Sequence, residues 1–114
     1  MRTLIVLVIV LMVLSSCKAT VAPGTYDALA KCISSKDVKM YGAFWCPKCA
    51  KQKESFGDSF KFIPYIECDP RGDNGQPDLC LEKNVLNYPH WEFSDGTSLE
   101  QVLSPEELAA RVGC

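Results

Sequence analysis

The longest apolar run, Leu4 to Leu14, follows a single basic residue, Arg2, and stops at Ser15-Ser16-Cys17. A helix needs roughly 20 apolar residues to span a bilayer, so this run fits a signal-peptide core better than a membrane span. Residues 1–16 are therefore expected to be an export signal, with an uncleaved anchor as the alternative. Leu14-Ser15-Ser16-Cys17 also resembles a bacterial lipobox, which would make Cys17 a lipidated N-terminus. Residues 17–25, containing Pro23-Gly24, read as a short tether, and residues 26–114 as one domain.

Within that domain the apolar period changes repeatedly. Leu29, Ala30 and Ile33 recur at helical spacing and predict a helix from Tyr26 to Ser34, with Thr25 as its N-cap. Val38 to Phe44 reads as a buried strand. Lys48 to Phe56 has no internal Gly or Pro and reads as a helix, broken by Gly57-Asp58-Ser59. Phe60 to Glu67 predicts a second strand, placed at an edge or a bulge by Pro64. Asp69 to Pro77 is a loop rich in turn residues, and Asp78 to Asn84 a short helix. Trp91 and Phe93 alternate with His90 and Glu92 ahead of the turn Asp95-Gly96, which predicts a hairpin with Ser98 to Val102. Ser104-Pro105-Glu106-Glu107 opens a last helix with Leu108, Ala109 and Val112 inward. Helices mixed with strands in this order predict an α/β sandwich, a mixed central sheet with helices on both faces.

The chemistry concentrates where the first strand meets its helix, at Trp45-Cys46-Pro47-Lys48-Cys49. Cys46 falls at the N-cap and Pro47 at the first helical position, where its missing N–H costs nothing. Free backbone N–H groups and the positive end of the helix dipole favour a thiolate at Cys46, the form that attacks disulfides. Cys49, about one turn on, can resolve the mixed disulfide that results. Lys48 adds a cation whose flexible stem leaves it in water.

The remaining cysteines and the charge change this picture in two ways. Seven cysteines in 114 residues behind an export signal argue for an oxidising compartment. Cys68 and Cys80 flank the turn-rich loop, and a disulfide between them is the first choice. A second redox pair and two free thiols compete with it. Cys32 is either a small buried apolar residue or a disulfide partner, with Cys114 also left over. The formal net charge of −2 provides no electrostatic footprint for nucleic acid. Cys46, Cys49, Cys68 and Cys80 match a structural zinc site in number, but the second pair lacks knuckle spacing. No metal or other cofactor is expected.

Trp45-Cys46-Pro47-Lys48-Cys49 followed by Tyr88-Pro89 resembles the thioredoxin superfamily over nearly all of Tyr26 to Cys114. Within it, the segments around Met40 to Pro47, Tyr65 to Pro70, Gln76 to Cys80 and Tyr88 to Glu92 are similar to the thioredoxin-like domain attached to bacterial and plant vitamin K epoxide reductase homologues. The resemblance implies a thioredoxin-like three-layer sandwich and a cis Tyr88–Pro89 bond against the redox pair. It also implies a cysteine pair at Cys68 and Cys80, which supports the staple. His90 would stand at the active-site rim, and Trp45, Tyr88, Pro89 and His90 would meet substrate. Thioredoxins bury a proton-accepting carboxylate on the first strand where this chain has Met40; Glu54 and Glu92 are the substitutes considered.

The resulting expectation is an exported thiol–disulfide oxidoreductase, periplasmic or at the cell surface, monomeric, held to a membrane if Cys17 carries lipid. Its partners would be cysteine-containing secreted or periplasmic proteins and a separate quinone-linked membrane protein. The alternative is a non-catalytic thioredoxin-like binding module or holdase.

Overall fold

The computed structural model describes residues 20–114. The expected signal peptide, the Cys17 lipidation site and residues 17–19 of the tether lie outside the described residues. Helix α1 spans Asp27–Ser35, strand β1 Lys39–Gly42 and helix α2 Pro47–Phe56. A 3-10 helix, Gly57–Phe62, leads to strand β2, Tyr65–Glu67. Helix α3 (Pro77–Glu82), strands β3 (His90–Glu92) and β4 (Ser98–Leu99) and helix α4 (Pro105–Val112) complete the order. Among the described residues no helix is long and apolar enough to cross a membrane.

The four strands lie in the order β2-β1-β3-β4, with β1 and β2 parallel and the other neighbours antiparallel. Because side chains alternate along a strand, the register sorts them onto two faces. Met40 pairs with Tyr65 and Trp91, and all three contribute to a core that includes Ala30 and Ile33 of α1, Cys49 and Phe56 of α2, and Leu108 and Ala109 of α4. Tyr41 pairs with Ile66 on the opposite face, where Cys68 and Cys80 join them and Leu79 of α3 packs alongside. Helices thus cover both faces of a mixed sheet, the expected thioredoxin-like sandwich.

Local chemistry sets the helix ends. At α4, Ser104 Oγ accepts from the Glu107 N–H at 3.1 Å and Glu107 Oε2 accepts from the Ser104 N–H at 2.7 Å, the reciprocal cap read in the sequence. Gly113, at φ 76°, ends the helix in the left-handed conformation that glycine adopts without penalty. Thr25 does not cap α1: its hydroxyl donates to the Ala22 carbonyl at 2.7 Å, inside the preceding turn, and Tyr26 takes the N-cap position.

Three strands are shorter than their patterns, and the first, expected over Val38 to Phe44, is β1, Lys39–Gly42. Phe60 and Phe62 belong to the 3-10 helix, where Phe60 lies edge-on to Phe56 and Tyr65. Ladder pairing starts late, with the Pro64 carbonyl accepting from the Met40 N–H at 2.9 Å, and β2 occupies the edge that Pro64 requires. β4 ends at Leu99 instead of Val102. Downstream of it, the fully buried Gln52 of α2 takes the Leu103 N–H at 2.8 Å and donates to the Leu103 carbonyl at 2.7 Å, diverting that backbone from the sheet. Trp91 Nε1 donates to the same Gln52 oxygen at 3.2 Å, so this core amide is satisfied.

Disulfides join Cys32 to Cys114 and Cys68 to Cys80. The first ties α1 to the segment after α4, which settles the pairing left open by the sequence. The second closes the turn-rich loop, as its first reading held.

Candidate active site

Cys46 is the N-cap of α2, with Pro47 at the first helical position. Its Sγ accepts a hydrogen bond from the Cys49 N–H at 3.2 Å, so an orphan donor of the first turn points at the sulfur. Cys46 and Cys49 are both unbonded thiols, 6% and 1% exposed respectively. Lys48, between them, is exposed.

The floor under this pair is Gly42. A Cβ there would stand 2.9 Å from Cys49 Sγ, and 3.1 and 3.3 Å from Cε2 and Oη of Tyr65. The missing side chain is the space into which both groups reach. Burial, followed by the hydrogen bond with Cys46, pushes the Cys49 thiol up to about 12, while the Ala43 backbone and the Lys53 ammonium oppose that shift. Cys49 thereby retains its proton well into the alkaline range.

Beside Cys49, Tyr65 Oη donates to Glu67 Oε2 at 2.9 Å, and Glu67 Oε1 accepts from the Asp69 N–H at 2.9 Å. Glu67 is only 5% exposed because the loop folds over it: a Cβ on Gly72 would come within 2.6 Å of its Cδ. Burial, then the bond to Glu67, raises the Tyr65 phenol well above its ordinary range. Lys53 Nζ sits 3.9 Å from the centre of the Tyr65 ring.

The carboxylates considered from sequence are elsewhere. Glu54 is exposed on α2. Glu92 accepts from Tyr41 Oη at 3.4 Å and pairs with Lys83 at 3.5 Å, away from the Cys49 face. Alternation of Tyr65 and Glu67 on a strand running into Cys68 was the available signal for the buried acid. Its significance required the register Gly42 to Glu67, which is not a local property.

Trp45 is 54% exposed and anchored by its Nε1 donating to Asp69 Oδ2 at 2.7 Å. Arg71 holds Asp69 in two-point contact, Nε to Oδ1 at 3.0 Å and Nη2 to Oδ2 at 2.7 Å, which with the Trp45 bond keeps this carboxyl well below its usual range. Tyr88 stands edge-on to Trp45 with centroids 6.1 Å apart, and the Tyr88–Pro89 bond is cis. The Pro89 side chain is fully buried. Phe44, read from the sequence as the end of the buried strand, lies past β1 instead and is 56% exposed beside Arg71.

His90 is not at the rim where the resemblance put it. Pairing with Tyr41 turns its side chain to the opposite face, where it is 4% exposed, with Nδ1 3.1 Å from Glu100 Oε1. Asn87 Nδ2 donates to the other Glu100 oxygen at 2.7 Å, so one carboxylate braces the segment on both sides of Tyr88-Pro89. Cys68 and Cys80 are bonded to each other within the Tyr41 cluster, so the four thiols considered for zinc do not converge.

No family model matches the chain. Over 94 residues it is 42% identical to the thiol-disulfide oxidoreductase LTO1 of Arabidopsis thaliana. The match takes in 75% of this chain and 24% of that protein, so the chain spans about a quarter of the length of this curated relative. That similarity to a thiol-disulfide oxidoreductase supports a thioredoxin-like redox role.

Proposed function

We propose that the protein is an exported thiol–disulfide oxidoreductase in which Cys46 exchanges with substrate cysteines and Cys49 resolves. The observation that carries this reading is the placement of two unbonded thiols one helical turn apart, Cys46 at the helix N-cap accepting the Cys49 N–H and Cys49 buried beneath it. Cys46 attacks a disulfide sulfur, forming a mixed disulfide and releasing one thiolate. The Cys49 sulfur then attacks Cys46 Sγ, the Cys46–substrate bond breaks, and the pair is left oxidised. Run in reverse, the same steps donate a disulfide to a reduced substrate.

Exposed Phe44 and Trp45, with Tyr88 edge-on to Trp45, form the surface that receives a substrate segment. Their aromatic area suits an extended cysteine-bearing stretch of a secreted protein. Export is supported by the Leu4–Leu14 run and by two disulfides in so small a domain. A separate quinone-linked membrane protein is the proposed electron partner, on the strength of the resemblance to domains fused to vitamin K epoxide reductase homologues.

Exchange with a fluorogenic peptide disulfide tests the core of the proposal. The intact protein is expected to turn it over, and Cys46→Ala to reduce the rate to background. Cys49→Ala is expected to accumulate a mixed disulfide detectable by intact mass. Unchanged turnover in Cys46→Ala would overturn the role of Cys46, and an intact protein that gives no turnover would favour a binding module.

A further inference from the structure

We propose that Glu100 is the positioning residue of the substrate-receiving edge: its carboxylate braces residues 86–90 from the end of β4 and so holds Tyr88 against Trp45. The inference rests on the exchange reading above and deepens it by naming what orders the surface that meets a substrate segment.

The stretch ahead of β3 has little of its own to hold it. The Val85 N–H is bonded to the Cys80 carbonyl at 3.0 Å, and ladder pairing begins only where His90 stands opposite Tyr41. Among the described residues, 86–89 make no backbone–backbone hydrogen bond, and Pro89 has no N–H to give. Leu86 is 82% exposed and Asn87 is exposed, so packing does not fix them either.

Glu100 supplies what the backbone lacks. It directly follows β4, and the antiparallel register of Trp91 with Leu99 places it opposite His90. Its Oε2 accepts from Asn87 Nδ2 at 2.7 Å. Its Oε1 stands 3.1 Å from His90 Nδ1 and takes the Leu86 N–H at 3.5 Å, the long limit of a hydrogen bond. The Asn87 bond first, then the His90 bond, hold this carboxyl below its ordinary value, so at neutral pH Glu100 is ionised and only accepts. The proton it shares with His90 is therefore carried on Nδ1. His90 is 4% exposed and lies edge-on to Tyr41, ring centroids 5.6 Å apart, which anchors one end of the brace in the sheet. Asn87 is the other end, and Tyr88, edge-on to Trp45, stands between them. Without the carboxylate, a substrate segment would have to order this stretch as it binds, and the cost falls on binding. Cys46 takes its own hydrogen bond from the Cys49 N–H at the α2 cap, so its reactivity is held by a different set of contacts.

The test uses the full-length protein with its two other disulfides intact and two probes. One is the fluorogenic peptide disulfide, with glutathione as recycling reductant; the other is iodoacetamide, a small alkylating agent with no segment to seat. In Glu100→Ala, KM for the peptide is expected to rise about 10-fold, the size of one hydrogen bond to a charged group. The values of kcat and of the Cys46 alkylation rate should stay within about twofold of wild type. Glu100→Gln should bring KM back to within about threefold of wild type, because its carbonyl accepts from His90 while its amide donates to the Asn87 side-chain oxygen once that amide turns over. A merely structural role would lower the urea midpoint and leave KM where it was. Amide hydrogen exchange, read by mass spectrometry, is independent of turnover: residues 86–90 should exchange about 10-fold faster in Glu100→Ala than in wild type, and Glu100→Gln should restore their protection. An unchanged KM in Glu100→Ala overturns the brace, as does a Glu100→Gln variant as impaired as Glu100→Ala. Should Glu100→Ala fail to fold, Asn87→Ala removes the exposed end alone. It is expected to raise KM about threefold, and an unchanged KM there also overturns the proposal. Failure of the exchange reading looks different: wild-type protein would not turn the peptide over, while protection of residues 86–90 would still depend on Glu100.

Discussion

Each face of the sheet carries a cysteine pair and a tyrosine–glutamate hydrogen bond, yet the two faces are built for opposite ends. On the α2 face, Cys46 and Cys49 are unbonded thiols, and Tyr65 meets Glu67 at 2.9 Å over the gap at Gly42. On the α3 face, Cys68 and Cys80 are joined, and Tyr41 reaches Glu92 at 3.4 Å, with Lys83 neutralising the acid from outside. The residue types are the same, but the neighbours differ. Unbonded thiols at a helix N-cap are free for disulfide exchange, whereas a bonded pair and an acid paired with lysine hold loops in place. Chemistry here follows from where each pair sits, at a helix N-cap or across a loop, and from which partner each acid has.

Cysteine substitutions give the largest expected separation of the faces. Cys46→Ala should abolish peptide-disulfide exchange, whereas Cys68→Ser with Cys80→Ser should leave a thiol at Cys46 that a maleimide still captures. In the chain-entropy model the Cys68–Cys80 staple contributes about 3 kcal/mol, readable as a lower urea midpoint. The Cys32–Cys114 bond closes a much longer segment, with a sequence separation of 82. The same model gives it about 4–5 kcal/mol, so its removal should shift the midpoint further than loss of the staple. A larger shift from the Cys68–Cys80 pair would mean that the α3 face, rather than the α1–α4 contact, limits stability.

A pH titration provides a finer division. The Cys49 thiol is raised by folding from 9.0 to about 12, so above about pH 9 the unfolded chain releases a proton that the reduced native protein keeps. The unfolded state then binds fewer protons, and stability falls as pH rises through that window. Urea midpoints of the protein reduced at Cys46/Cys49 should begin to fall between about pH 8 and pH 9, below the range where tyrosines ionise appreciably, with a Cys49 contribution of at most about 0.7 kcal/mol per pH unit. Cys49→Ala should flatten the slope. An equally steep fall in that variant would place the titrating group elsewhere.

Smallest of all should be Tyr41→Phe on the α3 face. It removes one long hydrogen bond, for about 1 kcal/mol or less, and should not change the rate of peptide-disulfide exchange. Slowed exchange in Tyr41→Phe would break the distinction between the faces.

The sequence revealed most where the governing contacts are local. Cys46-Pro47 at a helix start and Ser104 with Glu107 at another are interactions within one turn, and both helices begin where they were expected. The mixed sheet with helices on both faces was also legible, because alternation and helical spacing record which side of each element is apolar. Boundaries failed where a distant residue intervened: Gln52 claims the Leu103 backbone, and Phe60 packs with Phe56 and Tyr65 instead of extending β2. His90 and Glu67 were misread or missed for the same reason. Their partners, Glu100 and the Gly42 gap, are set by strand pairing, which composition and spacing do not encode.

Gly42 also sets a condition for transplanting this centre into another protein. Copying Cys46-Pro47-Lys48-Cys49 onto any strand–helix junction would reproduce the attacking end of the pair. A host with alanine at the strand position below would push its methyl to within 2.9 Å of the second sulfur and 3.3 Å of the tyrosine oxygen. The smallest portable unit is therefore the four-residue motif together with a bare strand position beneath it.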